Sequence, residues 1–556
     1  MLLVNLFEIT VRCSTALHNE ILALWQALAT GPHAGNVQLV LDFIINLCLE
    51  KKEQNFVDYA KQIVVFLSGT PAGLKVVDFL LLQINPKAMV VEKRETAPVP
   101  QDFVSLPYLA DLSQVLPIGS GNKPVVLVLW DHYTPLVQDQ AREMLVHLIH
   151  ELVISQIDDR TTDPDKGAIE DLIDSIRRHE SKVVWSYDDN NGEADNDNDI
   201  RVPQAMSFLT EEVVKVFAHT HPSLREDWGK MTLTWATSCA VRHIACRSFQ
   251  IFRCVLTTLD PQMLADMLAR LSNTIADDNN DYLTFSMEIL TTIKTIVEAL
   301  EPVDLIKYPQ LFWTTAACLD TIFEREFMES LSMLERLLDK LDLSDPAVIK
   351  LLIGSQPPKW EGMFEGLQSP VYKGLRSRVC LDRSVHVLDR LTALPSSELV
   401  GNDSRLLFAV LANLPRYLRF SEQGTVDPSC ISSAELLAGV AEGQGHDELA
   451  RALQRFATTR YRADKEFLSQ TVSGLRSAFF PEFEYKCLTF LMGLLTNPLP
   501  WFRTKTMQLL CVIAPEIDMR KPEITSHGSD LISPLLRLLQ TEYCSQALEV
   551  LDNIMT

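Results

Sequence analysis

Apolar residues recur three and four positions apart along most of the chain, the spacing of helices buried on one side. In "LDTIFEREFMESLSMLERLLDKL", Leu319, Ile322, Phe323, Phe327, Leu331, Leu334, Leu337, Leu338 and Leu341 keep this spacing with charges between them. Similar stripes run through "NVQLVLDFIINLCLE" (36–50), "AREMLVHLIHELV" (141–153), "YLTFSMEILTTIKTIVEAL" (282–300) and "LISPLLRLLQTEYCSQALEVLDNIM" (531–555). One run, "PVVLVLWD" (124–131), reads equally well as a strand or a short buried helix.

The pattern is sharpest in "WATSCAVRHIACRSFQIFRCV", residues 235–255. With Val241 set at zero on a helical wheel, Ile244, Ala245, Ser248, Phe249, Ile251, Phe252, Val255 and Leu256 occupy one arc. Arg242, His243, Cys246, Arg247, Gln250, Arg253 and Cys254 occupy the other. This sorting predicts an amphipathic helix and weakens a zinc reading. Cys239 and Cys246 would lie roughly 10 Å apart along one axis, and no Cys-x2-Cys pair stands elsewhere to complete a site.

Helix starts carry a repeated signal. Thr70-Pro71, Thr134-Pro135, Asp260-Pro261, Asp345-Pro346 and Asp427-Pro428 each set a capping side chain before a proline, whose missing N–H costs nothing in the first turn. The last three pairs lie 85 and 82 residues apart. These gaps approach multiples of the period of about 40–47 residues found in HEAT and armadillo units. The fold expected is therefore all-α, a HEAT/armadillo-like α-solenoid of stacked antiparallel helix pairs.

Composition supports helices and narrows the partners. The 556 residues include 28 prolines but only 21 glycines, and the net charge is −23. So acidic a chain makes a poor general binder of nucleic acid and favours basic partners. Eleven cysteines without framework spacing read as reduced thiols of an intracellular protein. The longest uncharged run, Cys487 to Phe502, is too short and too broken by Asn497-Pro498 to span a bilayer. Residues 186–199, "SYDDNNGEADNDND", hold six acids and no base, and are expected to form a solvated, disordered loop. The stretch 352–374 is an irregular connector, with Trp360 and Phe364 available to pin it.

Candidate chemistry is sparse. An EF-hand register on Gly192 puts Tyr187 and Asn198 where Asp and Glu are needed. His147, His150 and Glu151 do not form His-Glu-x-x-His, and His219 and His221 read as part of a turn. Gly119-Ser-Gly-Asn-Lys123 lacks the spacing of a phosphate loop. No catalytic residue, metal or cofactor is expected. What remains is the basic face of the 235–255 helix: Arg242, His243, Arg247 and Arg253 form either a candidate protein-binding strip or struts to carboxylates of adjacent repeats.

The segments "TWATSCAVRHIACRSFQIFR" (234–253), "HNEILALWQALATGPHAGNVQLVLDFIINLCLE" (18–50) and "FVDYAKQIVVFLSGTPAG" (56–73) resemble the Furry-type cell-morphogenesis proteins, fungal members among them. The resemblance implies residues 1–157 as helical repeats ending the family's central region. It makes 158–204 an acidic, partly disordered linker and 205–556 the repeats of the C-terminal domain. It implies a non-enzymatic scaffold that supports an NDR/LATS-class kinase and its Mob adaptor in cell polarity and morphogenesis, in the cytoplasm or at the cell cortex. The family's N-terminal region has no counterpart here, so the chain is expected to be a C-terminal portion. A HEAT-type nuclear transport receptor, or another cargo-binding solenoid, is the alternative.

Overall fold

The computed structural model describes residues 2–76, 127, 135–154, 164–178, 204–275 and 282–555, less short breaks at 14–15, 31–34, 52–53, 71–72, 74, 219–221, 240–241, 359, 361–363, 402–403, 424–426 and 459–463. These residues form 26 α-helices and two short 3-10 segments, with no sheet strand among them. The acidic run 186–199 and, apart from Leu127, the run 124–131 lie outside the described residues. Contacts divide the chain into two compact units, Met1–Arg270 and Leu271–Thr556. The division falls inside the helix Pro261–Ile275.

In the first unit, the helices Leu2–Cys13, His18–Ala29, Asn36–Lys51 and Gln54–Ser68 share a core of Phe7, Trp25, Leu41, Ile63 and their neighbours. The Trp25 indole N–H is satisfied by Thr10 Oγ1 at 2.9 Å, so its ring can be fully buried. Within the span 158–204, expected to be a linker, Pro164–Arg178 is a helix. Ile169, Leu172, Ile173 and Ile176 stand at helical spacing and are buried, and the helix packs on Pro135–Leu152. The surrounding acids obscure that stripe in the composition.

The stripe over 319–341 is divided. One helix, Pro309–Cys318, stops just before it, and the next runs over Glu324–Lys340. Thr321 makes the break: its Oγ1 accepts from Phe323 N at 3.2 Å and donates to Glu326 Oε2 at 2.7 Å, giving the backbone an alternative to the helix. Ile322 consequently leaves the core and is 90% exposed. The stripe over 531–555 also resolves into two helices, Gly528–Leu538 and Cys544–Met555. Thr541 sits between them, donating to Leu538 O and accepting from Tyr543 N.

Three Asp-Pro pairs cap helices as their chemistry predicts. Asp260 accepts from Met263 N at 2.8 Å, Asp345 from Ala347 N at 2.8 Å, and Asp427 from Ser429 N at 2.9 Å. The connector is pinned where expected: Trp360 and Phe364 pack edge-on against Trp313, with ring centroids 5.4 and 5.1 Å away.

At the centre of the second unit is the helix Arg405–Gln423. Leu406, Leu407, Ala409, Val410, Leu411, Ala412, Leu414 and Leu418 are all buried, as in a helix covered on every side. It packs on Leu381–Ala393, Pro428–Gly443, Asp464–Phe479, Glu484–Leu494 and Pro500–Ile513. A polar network crosses this core. Asp389 accepts from Asn413 Nδ2 at 2.7 Å and Ser433 Oγ at 2.6 Å, and Ser433 also bonds Tyr417 OH at 2.8 Å.

Burial raises the Asp389 carboxyl to about 6, more than the hydrogen bonds from Ser433 and Asn413 lower it. A folded-state value above the unfolded one means that protonation favours the fold. The stabilisation is complete below the ordinary carboxylate range and is lost as pH rises through about 6. Denaturant midpoints of wild type and Asp389→Asn, followed from pH 4 to 7, are expected to show wild type losing stability relative to the variant. A pH-independent difference would contradict the burial account.

Candidate functional site

The helix Arg242–Val255 forms where the wheel predicts, and its apolar side is buried through Ile244, Ala245, Phe249, Ile251, Phe252 and Val255. Its polar side is covered as well. Arg247 is 5% exposed and Arg253 8%, with Gln250 buried beside them. The cause lies in the packing: one neighbour is Leu224–Ser238 and another is Gln204–Ala218. Arg247 Nη1 donates to Gln250 Oε1 at 2.7 Å. Arg242 is half-buried, and the His243 side chain lies outside what the structure describes. So placed, Arg247 and Arg253 present little of their surface to solvent.

The helix is tied to its neighbours at its ends. Arg225 Nη1 donates to Val255 O at 2.6 Å, on the last turn of Arg242–Val255. Arg270 Nη2 donates to Cys239 O at 2.9 Å, just past Leu224–Ser238. Carbonyls at a helix C-terminus have no intrahelical donor and carry partial negative charge, so a guanidinium there satisfies both needs. Close approach completes the joint. A Cβ on Gly229 would stand 2.2 Å from Thr257 Cγ2 and 2.8 Å from Thr257 Cβ.

In the second unit, charge is also used between helices. Lys294 and Glu329, each 6% exposed, pair at 3.2 Å where Tyr282–Ala299 meets Glu324–Lys340. Glu326, in the same interface, accepts from Ser286 Oγ at 2.6 Å. Nearer the surface, Arg336 reaches Glu298 at 3.1 Å, Arg383 reaches Glu335 at 3.1 Å, and Arg390 reaches Asp339 at 2.7 Å. Ion pairs between neighbouring helices, one reading of the arginines at 242–253, thus occur in the second unit. The periodicity of a single helix cannot name such partners.

The described thiols are suited to packing. Burial pushes Cys254 up to about 11 and Cys318, Cys430 and Cys487 up to about 12, so all are protonated at neutral pH and poor nucleophiles. Among the described residues no three His, Cys, Asp or Glu side chains converge as metal ligands. An open groove of about 250 Å³ is lined by Leu338, Asp339, Lys340, Asp342, Arg390 and Leu394. Its charges are already engaged: Arg390 pairs with Asp339, and Lys340 donates to backbone carbonyls.

Two models of one family match the chain: "Cell morphogenesis central region" over residues 111–279 and "Cell morphogenesis C-terminal" over 309–556. The chain is 37% identical over 584 residues to cell morphogenesis protein PAG1 of Saccharomyces cerevisiae, an alignment covering 99% of this chain and 24% of that protein. It is 29% identical over 591 residues to cell polarity protein mor2 of Schizosaccharomyces pombe, covering 100% of this chain and 26% of that one. The chain thus spans about a quarter of the length of these relatives. The crystal structure of an engineered protein aligns over 78% of this chain and 99% of its own at 12% identity, with a TM-score of 0.30, too loose a likeness to inform the architecture.

Single charge reversals at the buried arginines are expected to unfold the first unit more readily than one at Arg242. Arg247→Glu and Arg253→Glu should each cost about 3–5 kcal/mol, the range for breaking buried charged contacts, and half-buried Arg242→Glu clearly less. Gly229→Ala should cost about 1–3 kcal/mol through overpacking against Thr257. Denaturant melts compare the four variants; equal effects at all three arginines would contradict the burial pattern.

Proposed function

The chain belongs to the cell-morphogenesis family of PAG1 and mor2, with that family's central and C-terminal regions along its length, and on that premise we propose that it is a non-enzymatic scaffold in cell polarity and polarised growth. In this reading its helices form HEAT/armadillo-like stacks, and it holds an NDR/LATS-class kinase and its Mob adaptor in the cytoplasm or at the cell cortex. The observation that carries the proposal is the match of both regions of one morphogenesis family.

Two structural features support it. Helices adjacent in sequence pack on each other repeatedly, as in Leu224–Ser238 with Arg242–Val255, Pro428–Gly443 with Asp447–Ala457, and Asp447–Ala457 in turn with Asp464–Phe479. Such short-range stacking is the habit of repeat architectures. Buried titratable groups, moreover, hold helices together, as Lys294 and Glu329 do.

Gel filtration of the purified chain with a recombinant NDR-class kinase and its Mob adaptor tests the reading. Co-elution that weakens as salt rises is the expected outcome, since an acidic chain should meet basic partner surfaces through screened charges. A chain that is helical by circular dichroism yet elutes alone at low salt would contradict the kinase part.

A further inference from the structure

The turn that interrupts the 319–341 stripe lies beside the connector 373–380. Lys373 pairs with Asp320, Cys380 Sγ stands 4.0 Å from Glu324 O, and a Cβ on Gly374 would come within 2.5 Å of the Phe327 ring. These contacts set two chain segments side by side, and each carries an exposed apolar side chain, Ile322 at 90% and Val379 at 53%. The same two segments carry the exposed cations Arg325, Lys373, Arg376 and Arg378, the Arg376 guanidinium lying over Gly493, and the exposed acids Asp320, Glu324 and Asp382, of which Asp320 pairs with Lys373 and Asp382 with Arg416.

Cations elsewhere on these helices behave differently. Arg336, Arg383 and Arg390 all reach carboxylates of a neighbouring helix. Among the described residues, no carboxylate lies within ion-pair distance of Arg325, Arg376 or Arg378. Burial, and then the like charge of Arg376, lower the pKa of Lys373, a sign that the connector crowds its cations together. On a chain of net charge −23, the unpaired Arg325, Arg376 and Arg378 outnumber Glu324, the exposed acid beside them, and give these segments a local basic character.

We propose that this surface docks an acidic segment of another protein that carries a large apolar side chain. The apolar group covers Ile322 and Val379, and the segment's carboxylates meet Arg325 and Arg378. A protein segment fits better than a bilayer or nucleic acid. Those are extended polyanions that would feel the whole acidic body, whereas a short segment senses charge only within a Debye length of about 8 Å. The inference rests on the scaffold reading and supplies the chemistry of one of its contacts.

An array of synthetic peptides graded in Glu and Leu content, probed with the full chain, tests it without kinase or adaptor. Peptides combining several Glu with Leu, Ile or Phe are expected to be selected over all-acidic and basic ones. In the double variant Arg325→Glu, Arg378→Glu, affinity for a selected peptide should fall about tenfold or more, with a weaker salt dependence. Ile322→Ser should abolish the preference for the apolar member. Melting curves show whether each variant folds, and Arg325→Gln with Arg378→Gln replaces the reversal if it does not. Selection unchanged in the variants, no selection, or capture by phosphatidylserine-containing vesicles lost in the same variants would each overturn the proposal. A negative array beside kinase co-elution sinks this surface alone, and a positive array without co-elution sinks the kinase reading alone.

Discussion

A helix ends in four carbonyls that no later turn can reach, and in this chain donors from other helices repeatedly meet them. Arg225 reaches Val255 O, Arg270 reaches Cys239 O, and Arg405 Nη1 reaches Leu391 O at 2.7 Å. Lys340 Nζ serves three carbonyls at the end of Tyr282–Ala299, those of Val297, Glu298 and Leu300, at 3.0, 2.6 and 2.7 Å. Neutral donors act likewise: Asn36 bonds Leu28 O at 3.1 Å, and the Trp313 indole bonds Leu352 O at 2.9 Å. Apolar faces permit some sliding of one helix on another. A donor committed to a particular carbonyl does not, so these contacts fix the position of each helix along its neighbour.

The same requirement explains what could be read from the sequence. Signals carried within one helix were legible. Spacing located Arg242–Val255 and Tyr282–Ala299, and Asp260, Asp345 and Asp427 announced three helix starts. Signals that depend on a second helix were not. A wheel separates the polar face of Arg242–Val255 from its apolar face but cannot tell water from the covering helices that bury Arg247 and Arg253. Arg225 and Lys340 sit at unremarked positions of their own helices, and only the fold brings them to another's last turn. Thr321 is intermediate: its hydroxyl carried a break signal that the unbroken stripe outweighed.

For a family defined by morphogenesis and polarity, this economy of charge has a functional side. Cations inside the units hold helices in register, and those near the surface, such as Arg383 and Arg390, join helices that lie side by side. A cation engaged in this way is a poor recognition element, because a partner must first displace a carboxylate or a carbonyl. Exposed cations without such contacts, such as Arg325 and Arg378 on the segments that carry Ile322 and Val379, are where an acidic body can present a different character.

Lys340 gives the most direct measurement of whether capping between helices holds the structure. Lys340→Met keeps the aliphatic stem and removes the three bonds to Val297, Glu298 and Leu300. Lys307→Met, at an exposed lysine paired only with Asp304 three residues earlier, is the control. Denaturant unfolding is expected to show a loss of at least about 2 kcal/mol for Lys340→Met, given about 1.5–3 kcal/mol for a hydrogen bond to a charged group, and a much smaller loss for Lys307→Met. Amide exchange should quicken in the last turn of Tyr282–Ala299. Equal, small losses in both variants, with exchange unchanged, would contradict the account.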